Sequence, residues 1–165
     1  MSARILVFDS AAGSPVGGTT AEDRVCRAIL TRDELESGAL IEFEALVRAT
    51  ATVGADTLTV RVRFGTSSTS SLNTAVATGS TTDVATDDRV LVRGRVHIQT
   101  DVRGVLTIVM DNPPAGHDGT ATPRTWSSIY VLTAATTHYL DVTVEWSTIS
   151  ANSAQSEAWA VWRIE

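Results

Sequence analysis

The chain has 165 residues, 43% of them hydrophobic and 19% charged, proportions that predict one folded domain and argue against wholesale disorder. Its formal net charge is −6, which argues against a surface whose main role is to bind nucleic-acid phosphates. The composition therefore predicts a globular protein without a nucleic-acid partner.

Residues 1–20 are predicted to form an N-terminal arm, followed by a single domain over 21–165. A short apolar strand at 5–8 leads into a segment rich in Gly, Ser and Pro, which favours a turning link. Such a strand can pair with a sheet edge of its own domain or of another chain. The candidate partner-interface residues of the arm are Ile5, Leu6, Val7 and Phe8.

The apolar stretches of the chain are all short. The run at 5–8 is too short for the core of a signal peptide. No run approaches the roughly 20 apolar residues that a helix needs to cross a bilayer. We therefore expect a soluble protein with no membrane partner, made in the cytoplasm. Cys26, the only cysteine, allows no intrachain disulfide, which fits a reducing compartment.

Strand-length segments follow one another through the rest of the chain, and most of them alternate apolar and polar side chains. This alternation predicts strands with one buried and one exposed face. Thr31 and Glu34 have the capping-box spacing, which predicts a single helical turn. The predicted strands are 24–30, 40–48, 57–64, 72–78, 89–98, 105–110, 126–133, 139–146 and 159–164.

The predicted strands define the fold class. Because no long helix accompanies them, we expect an all-β fold, a single jelly-roll-like β-sandwich of about eight strands. The segment from Val105 to Met110 is apolar on both faces, which predicts a strand covered on both sides.

Two predicted strands carry paired arginines on one face, Arg61 with Arg63 and Arg93 with Arg95. Each pair forms either a basic stripe or cross-strand ion pairs with acidic neighbours, and the second interpretation is preferred. The acidic candidates are Glu42, Glu44, Asp141 and Glu145.

The three histidines give no metal or catalytic pattern. His97, His117 and His138 lack a second His or Cys at ligand spacing, so we expect no zinc site. His117 and Asp118 lie together in a loop rich in Pro and Gly and could edge an active site. Because no nucleophile elbow accompanies them, a solvated turn is the preferred interpretation.

Three aspartates, Asp83, Asp87 and Asp88, cluster in one predicted loop. They could bind calcium, but their spacing misses the EF-hand pattern and acidic residues are ordinary in turns. We therefore expect no metal, no cofactor and no enzymatic activity.

The tryptophans offer candidates for an interface. Trp146 shares the predicted dry face of its strand and should lie in the core. Trp159 and Trp162 fall on opposite faces of the last strand, so at least one should be exposed or at a subunit contact. Trp159 is the further candidate partner-interface residue. An exposed Trp126 or Trp159 could instead stack on a sugar ring.

Several stretches resemble the small jelly-roll proteins of tailed-bacteriophage virions, which are capsid decoration (cement) proteins or head domains of tail fibres. They run from about residue 20 to the end and contain strand-and-turn patterns, not catalytic motifs. These stretches are TRDELESG at 31–38, LTVRVRFG at 58–65, TDDRVLVRGRVHI at 86–98 and LDVTVEWSTISANSAQSEAW at 140–159.

The resemblance implies a structural virion protein. It implies a homotrimer that binds the major capsid protein on the outer surface of the head and stabilises the mature capsid, with no catalytic residues. The short arm, in place of a long shaft, favours a stand-alone decoration subunit. The alternative is a receptor-binding head domain of a tail fibre or head spike that recognises host-surface glycan.

Overall fold

The computed structural model of the chain describes residues 4–10, 15–17, 19–50, 56–80, 88–100, 102–111, 124–133, 136–149 and 151–164, with the backbone alone at 4–10. Eleven strands and two short 3-10 turns lie within these residues. The strands are β1 (Arg4–Ser10), β2 (Val16–Gly17), β3 (Asp23–Leu30), β4 (Leu40–Thr50), β5 (Leu58–Gly65), β6 (Thr74–Ser80), β7 (Asp88–Thr100), β8 (Arg103–Asp111), β9 (Arg124–Val131), β10 (His138–Trp146) and β11 (Ser153–Ile164). The turns are Asp33–Leu35 and Ser70–Leu72.

The strands pair in a nested, antiparallel pattern. β1 pairs with β11, β3 with β10, β4 with β7, and β5 with β6. These nested pairs form a long antiparallel ribbon. When the ribbon rolls up, its strands form two sheets in jelly-roll order. The larger sheet runs β1-β11-β4-β7-β8-β9, with β2 also on β11, and the smaller runs β3-β10-β5-β6. The predicted all-β, jelly-roll-like sandwich is confirmed, with eleven strands in place of about eight.

The predicted arm contributes to the larger sheet. Residues 5–8 lie in β1, which pairs with β11 of the same chain at the sheet edge, and β2 pairs with β11 as well. The segment therefore supplies two strands to the sandwich, and β1 is the first strand of the rolled ribbon. Within the described residues, no helix is long and apolar enough to span a membrane.

The core lies between the two sheets, where the inward residues of the predicted strands meet. The alternation predicted for β4, β5 and β7 is confirmed, since every inward apolar residue of these strands is buried. Each strand thereby removes branched or aromatic side chains from water, which is the main favourable term in folding. The inward residues are Ile41, Phe43, Ala45 and Val47 of β4, Leu58, Val60, Val62 and Phe64 of β5, and Val90, Val92, Val96 and Ile98 of β7.

Trp159 is part of this core and is only 1% exposed. Its ring lies 6.1 Å from that of Phe43, and its indole N–H donates to the carbonyl of Arg27 at 3.2 Å. The expectation that Trp159 is an exposed interface residue is therefore wrong for the folded chain. Trp162 takes the outward position on β11 and is half-buried, whereas Trp146 is buried as predicted.

Two local predictions have opposite outcomes. The helical turn is confirmed at Asp33–Leu35, where Glu34 accepts hydrogen bonds from the amide and the hydroxyl of Thr31. The prediction that the strand from Val105 to Met110 is covered on both faces is wrong for the single folded chain. Alternate residues of this strand are buried, but Val105 and Val109 on the other face remain partly exposed.

Gly94 allows the close approach of a core side chain to β7. It pairs in register with Phe43 of β4, and a Cβ atom at position 94 would overlap the Phe43 ring. The ring cannot move aside easily, because it is buried against Trp159. The absence of a side chain at position 94 is therefore a packing requirement.

Gly94→Ala should lower the free energy of unfolding by about 1–3 kcal/mol, because it overpacks the core at Phe43. Urea unfolding followed by tryptophan fluorescence measures this change. Gly104→Ala is the matched control, since its added Cβ would lie no closer than 3.6 Å to the nearest atom, Cδ1 of Ile98. Equal losses from the two variants would contradict this account of Gly94.

Candidate interaction surface

The residues proposed for chemistry are not brought together in the described part of the chain. His97 is exposed on β7, His138 is buried at the start of β10, and Asp88 is buried at the start of β7. No group of three or more His, Cys, Asp or Glu side chains suited to a metal ion occurs among these residues. The candidates that lie outside the described residues are His117, Asp118, Asp83 and Asp87.

His138 has a structural position. Its Nδ1 lies 2.9 Å from the carbonyl oxygen of Thr136, and its Nε2 accepts from the amide of Thr133 at 3.4 Å. The ring stacks on Phe64, with the centroids 5.4 Å apart. Burial lowers the pKa of His138 below its usual value, and the hydrogen bond to Thr136 offsets only part of this effect. The neutral ring therefore joins the connection between β9 and β10 to the core.

Ion pairs within the chain cover the outer face of the smaller sheet. Arg27 donates to both carboxylate oxygens of the fully buried Asp141, at 2.7 and 2.9 Å, and Glu22 likewise pairs with Arg63. Burial of Glu22 raises the pKa of its carboxyl, but hydrogen bonds from Arg63 and Thr143, with the charges of the nearby arginines, lower it overall. Glu22 thus stabilises the fold above its usual pKa of 4.5, and this contribution is lost as the pH falls further.

The predicted ion pairs are confirmed for Arg61 and Arg95, whereas Arg63 and Arg93 pair with acidic residues that were not among the candidates. Arg61 forms an ion pair with Glu145, with a nitrogen–oxygen distance of 2.6 Å, and Arg95 forms one with Glu42 at 2.8 Å. Arg93 bonds Asp111 at 3.1 Å, although its partner in register on β4 is Glu44. The arginines therefore do not form a bare basic stripe on either sheet.

The outer face of the larger sheet contrasts with that of the smaller sheet. We call the outward side chains of β11, β4, β7 and β8 the larger-sheet face. Three rows cross it in register, and each row takes one residue from each strand in that order. The rows are Ile164, Leu40, His97 and Val105; Trp162, Glu42, Arg95 and Thr107; and Ala160, Glu44, Arg93 and Val109.

Charge is divided between the two central strands of this face. Glu42 and Glu44 form an acidic column on β4, and Arg93 and Arg95 form a basic column on β7. The side chains of Arg93 and Arg95 are 54% and 66% exposed despite their ion pairs. Glu44 is also exposed, and no described cation contacts it. Charged groups of this face therefore remain exposed to solvent after the ion pairs within the chain have formed.

Apolar side chains flank the charged columns. Leu40, Val105 and Ile164 are half-buried in one row, and β9 continues the same side of the sheet with Ile129, which is 63% exposed. Trp162 borders a shallow cleft of about 420 Å³ that reaches across to Thr107 and Val109. Apolar and charged groups exposed side by side are typical of surfaces that contact another macromolecule.

The larger-sheet face was not among the candidate sites predicted from the sequence. Of the two tryptophans on the last strand, Trp159 was the predicted interface residue, but the structure places Trp162 outward. The alternation does not separate the two, because Trp159 shares its face with Val161 and Trp162 shares its face with Ile164. The side chains of the other candidates, residues 5–8, lie outside the description, although their strand forms the sheet edge beside β11.

No protein-family model matches this chain, and no curated protein matches it either.

The free energy of unfolding should fall as the pH drops below the ordinary His pKa of about 6.5. The unfolded chain takes up a proton at His138 before the folded chain does, because burial lowers the folded-state pKa. Uptake of one proton makes the free energy of unfolding fall by at most about 1.4 kcal/mol per pH unit. The fall stops once the pH is below the pKa of His138 in both the unfolded and the folded chain. Urea titrations from pH 7 to 5 measure this pH dependence.

His138→Gln should reduce this slope, because it removes the buried titrating ring. His97→Gln is the control, since it makes the same substitution at an exposed histidine. An unchanged slope in the His138 variant would contradict the role assigned to burial.

Proposed function

We propose that this protein is a structural virion protein, a capsid decoration or cement protein on the outer surface of a phage head. Its partner would be the major capsid protein, and binding would stabilise the mature capsid. The sequence resemblance supports this proposal. The resembling segments include β5, β7 and β10, so they lie in both sheets of the sandwich.

The observation that carries the proposal is the larger-sheet face. It is broad and shallow, with exposed arginines beside half-buried aliphatic side chains and Trp162. Such a surface suits contact with another protein chain, which in a decoration unit can be a second copy of this protein. A subunit that binds only the closed lattice shifts the capsid away from disassembly by mass action. Repeated weak contacts then add up through avidity.

Self-association belongs to the same proposal. The resemblance implies three copies for each decoration unit, and the edge strand β1 lies where a neighbour could reach it. A multimer would give several capsid contacts per unit, so that each contact can be weak.

Immunogold labelling of virions from the phage that carries this coding sequence tests the proposal. We expect gold over the whole head, and pre-adsorption of the antibody with purified protein should abolish it. Heads made without the protein should bind it when it is added back and should then resist heat or low salt better. Absence of the protein from the head would contradict the proposal.

The second candidate function is recognition of host glycan. The half-buried Trp162 lies in the shallow cleft beside Glu42 and Arg95, and an aromatic ring beside polar side chains is an arrangement suited to sugars. Gold confined to the tail tip, with glycan binding that Trp162→Ala abolishes, would favour this candidate over decoration.

A further inference from the structure

The division of charge on the larger-sheet face has a geometric consequence for two copies of the chain. Consider a rotation axis that runs parallel to the strands, in front of the face and midway between β4 and β7. A rotation of one copy by 180° about this axis generates the second copy. It brings β4 of one copy opposite β7 of the other, and β11 opposite β8. Residues at the same height along the axis remain at the same height, so partners in register within one chain become partners across the two copies.

The charged columns are complementary under this operation. Glu42 of one copy faces Arg95 of the next, and Glu44 faces Arg93, because each pair is in register within the chain. Glu44 would gain a cation that it lacks among the described residues, whereas Glu42 is buried and already paired with Arg95 of its own chain, so Glu44 and Arg93 carry most of the attraction. Opposite charges that meet in this way favour one orientation and disfavour the others.

The flanking columns are complementary as well. Ile164 of β11 faces Val105 of β8, and Ala160 faces Val109, so half-buried aliphatic groups meet one another. Trp162 would lie over Thr107. A second copy would thus cover the outward valines of β8 and remove their apolar surface from water.

The same operation limits the contact at one end. Leu46 and Leu91 are in register and would meet across the copies, but the next pair in order, Arg48 and Arg89, would place like charges together. Both of these arginines already bond Glu157 within the chain. The contact should therefore extend from the Leu40 end of β4 as far as Leu46.

We infer that the larger-sheet face is the surface through which copies of this chain assemble, with the β4 acidic column of one copy against the β7 basic column of the next. The operation is a two-fold rotation, so the assembly closes as a pair in which each copy covers both halves of the other's face. The inference assigns this face to contacts between copies, so a phage head would be bound through other surfaces of the assembly. It does not depend on that attachment.

Charge exchange tests the inference in the full-length protein. The β4 variant is E42R/E44R, the β7 variant is R93E/R95E, and the exchange variant combines all four substitutions. The matched control, R24E/R32E, makes the same charge change as the β7 variant at arginines exposed away from this face. Circular dichroism and thermal unfolding confirm that each variant folds, and light scattering after size exclusion gives its mass.

The wild type, the control and the exchange variant should be multimers. The β4 and β7 variants should approach the single-chain mass of 17.5 kDa, with association weakened by roughly a hundredfold or more, because like charges would face one another. Native mass spectrometry of ¹⁵N-labelled wild type and unlabelled exchange variant, refolded together, should find separate assemblies, since each mixed contact would repel. The isotope label is needed because the two chains have the same composition.

Three results would overturn the inference: a monomeric wild type, unchanged masses for the β4 and β7 variants, or free mixing of wild type with the exchange variant. A monomer that still binds phage heads would overturn the inference and leave the decoration proposal standing. A multimer that pairs as described but binds no phage head would support the inference and contradict the decoration proposal.

Discussion

The antiparallel register between β4 and β7 is the constraint on which the rest of the structure depends. It places Phe43 opposite Gly94 on the core side, where a side chain at position 94 would overlap the ring. On the other side it places the acidic column of β4 beside the basic column of β7. A slip of one residue would exchange the two faces of the strand, exposing Phe43 and burying glutamate. Core packing and the charge pattern of the surface therefore follow from one alignment.

The two outer faces of the sandwich use charge in different ways. On the smaller sheet, Asp141 is fully buried under Arg27, and Glu22 pairs with Arg63. Burying a charge is costly unless it is paired and hydrogen-bonded, so these groups serve the chain itself. On the larger sheet, Arg93 and Arg95 keep more than half of their side-chain surface exposed. Exposed ion pairs contribute little to folding, which leaves these arginines available for a partner.

Much of the fold could be predicted, because alternation reports directly which side of a strand is buried. Strand pairing could not, since local patterns do not indicate that β1 joins β11 across the whole chain. The surface was harder still. The alternation in β11 does not indicate which of Trp159 and Trp162 faces the other sheet. The apolar pattern of β8 predicted cover on both sides, and Val105 and Val109 lack it within one chain. Under the inferred assembly, a second copy supplies that cover.

Cross-linking of single-cysteine variants tests this assembly most directly. Ala160→Cys and Val109→Cys are prepared separately and mixed, with a thiol cross-linker of about 10 Å, the spacing of packed sheets. The native Cys26 is buried, and its burial raises the pKa of the thiol to about 12, so it should not react. The account predicts cross-linked pairs in the mixture and few in either variant alone, because position 160 of one copy faces position 109 of the next. Equal yields in all three samples, or none in the mixture, would contradict it.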